Sequence, residues 1–262
     1  MNIWMIAGLL AVIAVAAVAL FFFLATRGAL LVRGLSPGAQ GDRSHVYPLY
    51  SNMRLISFVD YQPIISLILL FQYHRLVSTI VSGLEQANLR NKKILITSCA
   101  FGNVIPRIVK AAIQGGAERV IVADIIDNEL VHAKRKLAGL SDKVDFIEED
   151  AAAMKHEDGI VDANVMFFLL HELPHHLKSR ALSEAGRMLA PGGKLFLAEF
   201  HRPESWVLRA LGWTYFKVFE PLGLAVWDTH DPLTCLENIG GWLCDRTTYF
   251  FGNFQIIVAT KL

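Results

Sequence analysis

The chain has 262 residues, enough for one large domain or two small ones. Its formal net charge of +1 argues against a nucleic-acid-binding protein, which would carry a basic surplus. The three cysteines, Cys99, Cys235 and Cys244, lack the spacing of metal ligands, so we expect free thiols in a reducing compartment.

The N-terminus begins with a long apolar run. Residues 3–24 read IWMIAGLLAVIAVAAVALFFFL, without a charge, and roughly 20 apolar residues suffice to cross a bilayer. A cleaved signal peptide is the alternative, but it would need a basic start and a shorter apolar core. We therefore predict a single-pass transmembrane anchor over residues 1–27. Because arginines follow this run, the positive-inside rule places the N-terminus outside and the remaining chain at the cytoplasmic face of the inner (plasma) membrane.

Two segments separate this run from the main domain. Residues 28–52 are rich in Gly, Pro, Ser and Asp and are predicted to form a linker. Residues 53–91 are predicted to be helical. Their uncharged stretch is short for a membrane span, so a helical lid or an interfacial helix is expected.

From residue 92 short apolar runs alternate with segments of helical spacing. The runs KKILITS, RVIVADI, KVDFIEED, DANVMFFLL and KLFLAEF predict five strands of a parallel sheet covered by helices on both faces. RTTYFF and FQIIVATKL flank the turn signal GN, which predicts a final antiparallel hairpin. The expected α/β domain covers residues 92–262. It contains an apolar insert, residues 202–244, with four of the five tryptophans.

The stretch HELPHH, residues 171–176, fits the H-E-x-x-H pattern of zinc proteases. That mechanism needs both histidines on one helix, one turn apart. Here His171 directly follows a predicted strand, and Pro174 favours a helix start between the two histidines. A metalloprotease is therefore disfavoured. His171 and Glu172 instead lie at the carboxyl end of the fourth strand, where open α/β sheets bind ligands.

The order of elements and the loop TSCAFGNVIPR resemble the class I S-adenosylmethionine-dependent methyltransferases over about residues 92–262, which implies their Rossmann-like fold. The family's loop usually reads D-x-G-x-G-x-G, and here only the last glycine is kept. Asp124 matches the acidic residue that binds the ribose hydroxyls, although a helix-capping aspartate is the alternative reading. Asp150 and Ala151 match the pair beside the adenine. The resemblance thus implies an S-adenosyl-L-methionine site formed by Ser98, Ala100, Gly102, Asp124, Asp150 and Ala151.

A narrower resemblance rests on SCAFGNVIPR, FFLLHELP, EFHRP and FEPLGLAVWDTHD. These stretches are similar to the rhodoquinone biosynthesis family, which is related to the ubiquinone and menaquinone methyltransferases. The resemblance implies a lipophilic quinone-type substrate that receives a methyl group or, as in rhodoquinone biosynthesis, an amino group, with a divalent metal such as manganese. A tryptophan-rich insert beside a membrane anchor also fits a pocket open to the bilayer, although the insert could be ordinary core.

The candidate catalytic residues are His171, Glu172 and His201. Together with Glu199 and Asp228 they could bind a divalent metal. Alternatively, either histidine could act as general base on a quinol hydroxyl. The metal ligands are not assigned, and the neighbouring Arg202 could pair with Glu172 or Glu199 for purely structural reasons.

The competing hypothesis is a non-catalytic, methyltransferase-like subunit of a membrane protein complex. The degenerate glycine loop and the apolar N-terminus favour it. Polar residues at several strand ends favour an enzyme instead. Expected partners are a quinone-type small molecule and membrane lipid, with complex subunits in the alternative, and no nucleic acid.

Overall fold

The computed structural model describes residues 3–22 and 53–262. The predicted linker therefore lies outside the described residues, as does the end of the predicted anchor. In these two described ranges, four helices precede the sheet: α1 (Ile3–Phe22), α2 (Met53–Val59), α3 (Gln62–Ile68) and α4 (Tyr73–Gln86).

The sheet has seven strands in the order β3-β2-β1-β4-β5-β7-β6. Strands β1 to β5 pair in parallel, and β7 runs antiparallel to both β5 and β6. The predicted parallel sheet with an antiparallel end is thus confirmed. The strands are β1 (Lys93–Thr97), β2 (Arg119–Asp124), β3 (Val144–Glu148), β4 (Val161–Phe167), β5 (Leu189–Phe200), β6 (Trp242–Tyr249) and β7 (Phe254–Lys261).

Helices connect these strands and cover the sheet. They are α5 (Val104–Gln114), α6 (Asp127–Lys136), α7 (His175–Met188), α8 (Trp206–Phe219) and α9 (Pro232–Ile239). Helix α5 shows how the sequence ends an element. Its apolar residues are spaced to bury one face, and Gly116 then adopts a φ of +82°, which glycine takes without steric cost.

The hairpin differs from the predicted two-residue GN turn. Because Tyr249 pairs with Phe254, the turn contains four residues, and two of them are phenylalanines. Phe250 and Phe251 have φ values of 50° and 54°, a left-handed conformation that bulky residues rarely adopt. The strand β6 also begins at Trp242, inside the segment predicted to be insert.

The segment before the domain contains three helices where one helical run was expected. Leu70 and Phe71 have positive φ values and separate α3 from α4. Among the described residues no single helix is long and apolar enough to cross a membrane; α1 contributes the shorter apolar stretch Trp4–Ala17. Helices α3 and α4 reach that length only as a pair, with a 95° bend between them. The predicted transmembrane anchor is therefore not shown.

Candidate cofactor and substrate site

A cavity of about 160 Å³ opens at the carboxyl ends of β1, β2 and β4. This is the edge where ligands bind in open α/β sheets. One end is lined by polar residues of the strand-end loops, and the other by apolar residues from α3, the start of α4 and α8. Of the predicted site residues, those lining the cavity are Ser98, Ala100, Asp124, Asp150, Ala151, His171 and Glu172.

Asp124, the last residue of β2, organises the loop that follows β1. Its two oxygens accept hydrogen bonds from the backbone N–H of Cys99 (2.6 Å) and of Ile126 (2.8 Å). Burial raises the pKa of Asp124, while these amides and the side chains of Cys99 and Ser98 act in the opposite direction. Ser98 has a φ of 79°, so a serine fills a position where the family resemblance expects glycine.

Gly102, the one glycine kept in this loop, is packed against the N-terminal helices. A Cβ atom at this position would lie 2.5 Å from the hydroxyl oxygen of Tyr73, and its φ is +80°. The Gly102 N–H donates to Asp60 Oδ1 (2.7 Å), which lies between α2 and α3. Lys136 Nζ donates to that same oxygen (2.8 Å) and to the Gly102 carbonyl (2.9 Å). We call Asp60, Gly102 and Lys136 the loop clasp.

Two further acids lie at the polar end. Asp150 Oδ1 accepts from the Ala152 N–H (2.8 Å), which shapes the turn after β3. Glu129, in the first turn of α6, is 3% exposed, and its Oε1 has no hydrogen-bond partner among the residues that the structure describes. Burial, reinforced by the nearby Asp124 carboxylate, raises the pKa of Glu129 to about 9.

His171 is held between two carboxylates at the centre of the cavity wall. Its Nδ1 lies 3.0 Å from Glu199 Oε1, and its Nε2 lies 3.0 Å from Glu220 Oε2. Burial opposes charge on the ring, but the two carboxylates prevail and raise the pKa of His171 well above its usual value. Carboxylate oxygens face both ring nitrogens, an arrangement that favours the imidazolium form, in which both nitrogens are donors.

Lys178, on α7, supports the turn that carries His171 and Glu172. Its ammonium group is buried and donates to the carbonyls of Leu170 and, at 2.7 Å, of Leu173. Burial lowers the pKa of Lys178 to about 8. These two carbonyls flank His171 and Glu172, so Lys178 holds the backbone turn that carries both residues.

The H-E-x-x-H interpretation can now be settled from the geometry. His171 lies in a short 3-10 turn, Leu170–Glu172, whereas α7 begins at His175 with Pro174 as its N-cap. The two histidines are therefore not on one helix, as predicted. The ring of His175 packs near that of His230 instead, with centroids 5.2 Å apart.

His201, predicted to be catalytic, does not line the cavity. Its Nδ1 lies 2.7 Å from the Gly252 carbonyl oxygen, which ties the end of β5 to the hairpin turn. Arg202 pairs with Asp228 (2.7 Å) rather than with Glu172 or Glu199. Within the described ranges, no three His, Cys, Asp or Glu side chains are grouped as a metal site.

Comparison with known sequences agrees with this geometry. The sequence model described as the ubiE/COQ5 methyltransferase family matches residues 57–237. The chain belongs to the ubiE/COQ5 methyltransferase family. The matched segment begins in α2 and ends in α9, so it contains the whole cavity.

Relatives of this ubiE/COQ5 chain are named "Ubiquinone/menaquinone biosynthesis C-methyltransferase UbiE". The protein of Bartonella quintana (strain Toulouse) is 30% identical over 158 residues, which cover 59% of each chain. That of Marinomonas sp. (strain MWYL1) is 38% identical over 96 residues, which cover 36% of this chain and 38% of the relative. The chain thus spans from about two fifths to three fifths of the length of these curated relatives.

Solved structures confirm the methyltransferase fold. A SAM dependent methyltransferase from Aquifex aeolicus superposes with a TM-score of 0.57 at 18% identity, covering 80% of this chain and 99% of its own. Magnesium protoporphyrin IX methyltransferase from Synechocystis PCC 6803, solved with bound SAH, gives a TM-score of 0.53 at 19% identity, covering 72% of this chain and 83% of its own.

Four residues of this family member's site were not found from the sequence. In the sequence, Glu129 looks like an ordinary acidic residue in the first turn of a helix. Lys178 looks like an exposed lysine on a helix. Asp60 lies far from the loop in sequence. Glu220 was part of the quoted stretch FEPLGLAVWDTHD, which gave the only signal for any of the four.

Proposed function

We propose that this chain is an S-adenosyl-L-methionine-using transferase that modifies a lipophilic quinone-type substrate. Methyl transfer is the reaction that the family name supports, and amino transfer is the alternative suggested by the narrower sequence resemblance. The observation that carries the proposal is one cavity with two unlike ends, the first lined by carboxylates and loop backbone and the second by apolar and aromatic side chains.

The polar end fits a nucleoside cofactor. Glu129 Oε1 is a buried oxygen without a partner, and buried polar atoms in proteins are nearly always satisfied. A ligand rich in O–H and N–H groups would satisfy it, and Asp124 and Asp150 lie on the same wall. When bound, the cofactor supplies an electrophilic group on its sulfonium. The residues of this chain bind it, orient it and exclude water.

The apolar end fits a flat, lipophilic acceptor. Ile68 and Leu69 come from the N-terminal helices, Tyr215 comes from α8, and Phe200 ends β5. Such pockets are mostly apolar with a few polar groups that fix orientation. The expected lid, residues 53–91, contributes to this end, but its opening and closing stay a prediction.

The site geometry changes the roles expected of the candidate residues. His171 is a fixed cation whose ring nitrogens both face carboxylates, so it has no lone pair with which to accept a proton. Glu172 lines the same cavity, and its side chain is 27% exposed. We assign to Glu172 the acceptance of the proton from a quinol hydroxyl, a role that requires hydrogen-bond reach of the substrate.

Membrane association is part of this proposal. Helix α8 exposes Trp206 (78%), Trp213 (52%), Val207 and Leu211, and the same helix contributes Tyr215 to the cavity. Exposed tryptophans on an amphipathic helix are typical of membrane interfaces. With the apolar α1 as anchor, this face would place the cavity mouth at the cytoplasmic surface of the inner membrane, within reach of a lipid-soluble quinone.

The decisive test has two stages and uses the full chain in detergent or lipid. Isothermal titration should first detect binding of S-adenosylmethionine and S-adenosylhomocysteine. Quinone substrates should then be incubated with cofactor that is isotopically labelled at the methyl carbon or at the amine nitrogen. The label that reaches the product identifies methyl or amino transfer. A protein that binds neither cofactor form would instead support the non-catalytic subunit.

A further inference from the structure

Two turns of the chain hold large apolar residues in the left-handed conformation. Leu70 and Phe71, between α3 and α4, have φ values of 48° and 60°, and Phe250 and Phe251, in the hairpin turn, have values of 50° and 54°. This conformation is disfavoured for bulky side chains and persists only where the surrounding structure enforces it. Phe71 is nevertheless 74% exposed and Phe251 is 68% exposed. Each turn thus presents one aromatic ring that the fold itself does not bury.

The hairpin turn also has its backbone carbonyl groups paired within the protein. The four carbonyls from Phe250 to Asn253 accept hydrogen bonds from the backbone N–H groups of Asn253, Glu204 and His201 and from the ring of His201. Hydrocarbon offers no hydrogen-bonding groups, so a segment that enters it needs its backbone polar groups paired beforehand. A turn that faces only water has no such requirement, and the carbonyls of this turn meet it.

Both turns lie at the edge of the sheet that holds the cavity. Phe254 pairs with Phe200, which ends β5 and lines the cavity, so the hairpin turn follows the carboxyl edge of the parallel strands. Leu69, directly before the first turn, lines the same cavity. Helix α4 connects the two regions, because the guanidinium of Arg75 lies 5.0 Å from the ring centroid of Tyr249, the last residue of β6. The two exposed rings therefore flank the cavity mouth.

Arg75 provides a positive charge between the two turns. Its side chain is exposed, and within the described part of the chain no carboxylate forms an ion pair with it. An arginine beside aromatic rings is suited to a phosphate at the boundary between lipid headgroups and acyl chains. Trp206, which is 78% exposed, begins α8 two residues after Glu204, the residue bonded to the hairpin turn. The turns are thus continuous with the exposed tryptophan face of α8.

We propose that Phe71 and Phe251 insert into a phospholipid bilayer, with Arg75 on a lipid phosphate, and so dock the cavity mouth against the membrane. The proposal rests on the membrane association within the proposed function. It assigns the contact to two turns that neither the apolar N-terminus nor α8 includes. A protein partner or a second copy of the chain is the competing occupant.

The test uses the full chain on vesicles of phosphatidylcholine and phosphatidylglycerol that contain a phosphatidylcholine with a photoactivatable diazirine in its acyl chain. Mass spectrometry maps the crosslinked residues, so attachment through α1 does not mask contacts elsewhere. Wild-type protein should be crosslinked at residues 70–71 and 250–251. Phe251→Ser should lower crosslinking at the hairpin turn of vesicle-bound protein about fivefold or more, because an inserted phenylalanine is replaced by a polar residue.

Leu243→Ser is the matched control. Leu243 is 67% exposed on the same hairpin, but its partner Thr260 pairs with Lys194, at the opposite edge of the sheet. This change should leave every crosslink in place. Phe251→Gly should lower crosslinking as serine does without lowering the melting temperature, since glycine adopts a positive φ without steric cost.

Two results would overturn the proposal. One is vesicle-bound wild-type protein in which either turn lacks crosslinks, even if α1 or α8 is crosslinked. The other is an oligomer in lipid-free solution that Phe251→Ser dissociates, because a second copy of the chain would then cover the turn.

These results are separable from failure of the proposed function. Binding of S-adenosylhomocysteine by the Phe251→Ser variant should equal that of the wild type, whatever the crosslinking shows. Wild-type protein that binds S-adenosylhomocysteine but not vesicles would overturn this proposal together with membrane association, and the cofactor site would stand. Wild-type protein that is crosslinked at both turns but binds no S-adenosylhomocysteine would support the docking and overturn the transferase.

Discussion

The two ends of the cavity are built in different ways. The polar end is formed by loops that directly follow strands of the sheet, and Asp124 there is tied to two backbone amides. The apolar end is formed by helices added before and after the strands, and side chains such as Ile65 and Ile68 line it without any hydrogen-bonding group.

This contrast separates the effects expected from mutation. Changes at the polar end disturb hydrogen bonds on which the sheet edge depends, so binding and folding should suffer together. Changes on the added helices should alter substrate or membrane contact with little cost to stability. His171 joins the two ends, because Glu199 belongs to the sheet and Glu220 follows α8.

The largest effect is expected for His171→Ala. Removing the imidazolium leaves the carboxylates of Glu199 and Glu220 without their cation, and breaking a buried ion pair costs about 3–5 kcal/mol. Chemical denaturation should measure this loss, and His175→Ala should be nearly neutral. A stable His171→Ala protein would show that the ion pairs of His171 with Glu199 and Glu220 do not hold the two ends together.

The same residue sets a pH dependence. The pKa of His171 is raised above the value of about 6.5 in the unfolded chain. Its stabilising contribution is therefore fully present below pH about 6.5 and is lost as the pH rises through the higher folded-state pKa. Glu129 acts in the same direction, because its raised pKa favours the folded state only while the carboxyl is protonated. The denaturation midpoint should therefore be higher at acidic pH than at alkaline pH. A stability that does not change with pH in the wild type would contradict a stabilising charge on His171.

Asp124→Ala should affect both binding and folding. The amides of Cys99 and Ile126 lose a charged acceptor, and hydrogen bonds to charged groups are worth roughly 1.5–3 kcal/mol. Affinity for S-adenosylhomocysteine should fall about tenfold to hundredfold, because the loop is no longer held. Titration and thermal melts on one sample measure both quantities. Weaker binding with an unchanged melting temperature would return Asp124 to a direct role on the ligand.

Asp60→Asn tests whether the added helices support the polar end. Asp60 accepts from the Gly102 N–H and from Lys136, and its side chain is 12% exposed. Loss of the charge should cost about 1–2 kcal/mol and weaken cofactor binding by a similar amount. High salt should weaken the ion pair of Asp60 with Lys136 less than it weakens an exposed ion pair, since Asp60 is mostly buried. Arg119, exposed in its pair with Asp145, provides the comparison.

The smallest change in stability is expected for Trp206→Ser combined with Trp213→Ser. Both side chains are exposed, so the free energy of unfolding should change by less than about 0.5 kcal/mol. Binding to lipid vesicles by flotation should nevertheless fall if α8 is an interfacial helix. Unchanged vesicle binding would leave α1 and the pair α3 and α4 as the helical candidates for membrane attachment. Thr214→Ala, on the same exposed turns, serves as a control.

The sheet could be predicted from the sequence because its signals are local and strong. Apolar runs such as residues 94–96 alternate with segments of helical spacing, which predicts parallel strands covered by helices. The helix start at Pro174 could also be predicted, since proline constrains its own backbone. The hairpin turn could not, because tertiary packing places Phe250 and Phe251 in a conformation that their side chains disfavour locally.

The site was predicted in part for a similar reason. Residues at strand ends, such as Asp124 and His171, lie in the cavity because topology puts them there. His201 is also at a strand end, but its ring Nδ1 is hydrogen-bonded to the Gly252 carbonyl of the hairpin turn and does not face the cavity. Glu129 and Lys178 were missed because burial gives them their importance, and a charged residue in a helix normally indicates exposure.

The loop clasp sets a boundary for dissecting the protein. Asp60 lies only a few residues after the point where the described domain begins, and it holds the loop at Gly102. A chain shortened to start at residue 53 keeps this bond, whereas one started after residue 61 loses it together with α2. Any tension applied through the N-terminus reaches α2 and Asp60 before it reaches the sheet. The N-terminal end of the described domain is thus mechanically adjacent to the loop that lines its own cavity.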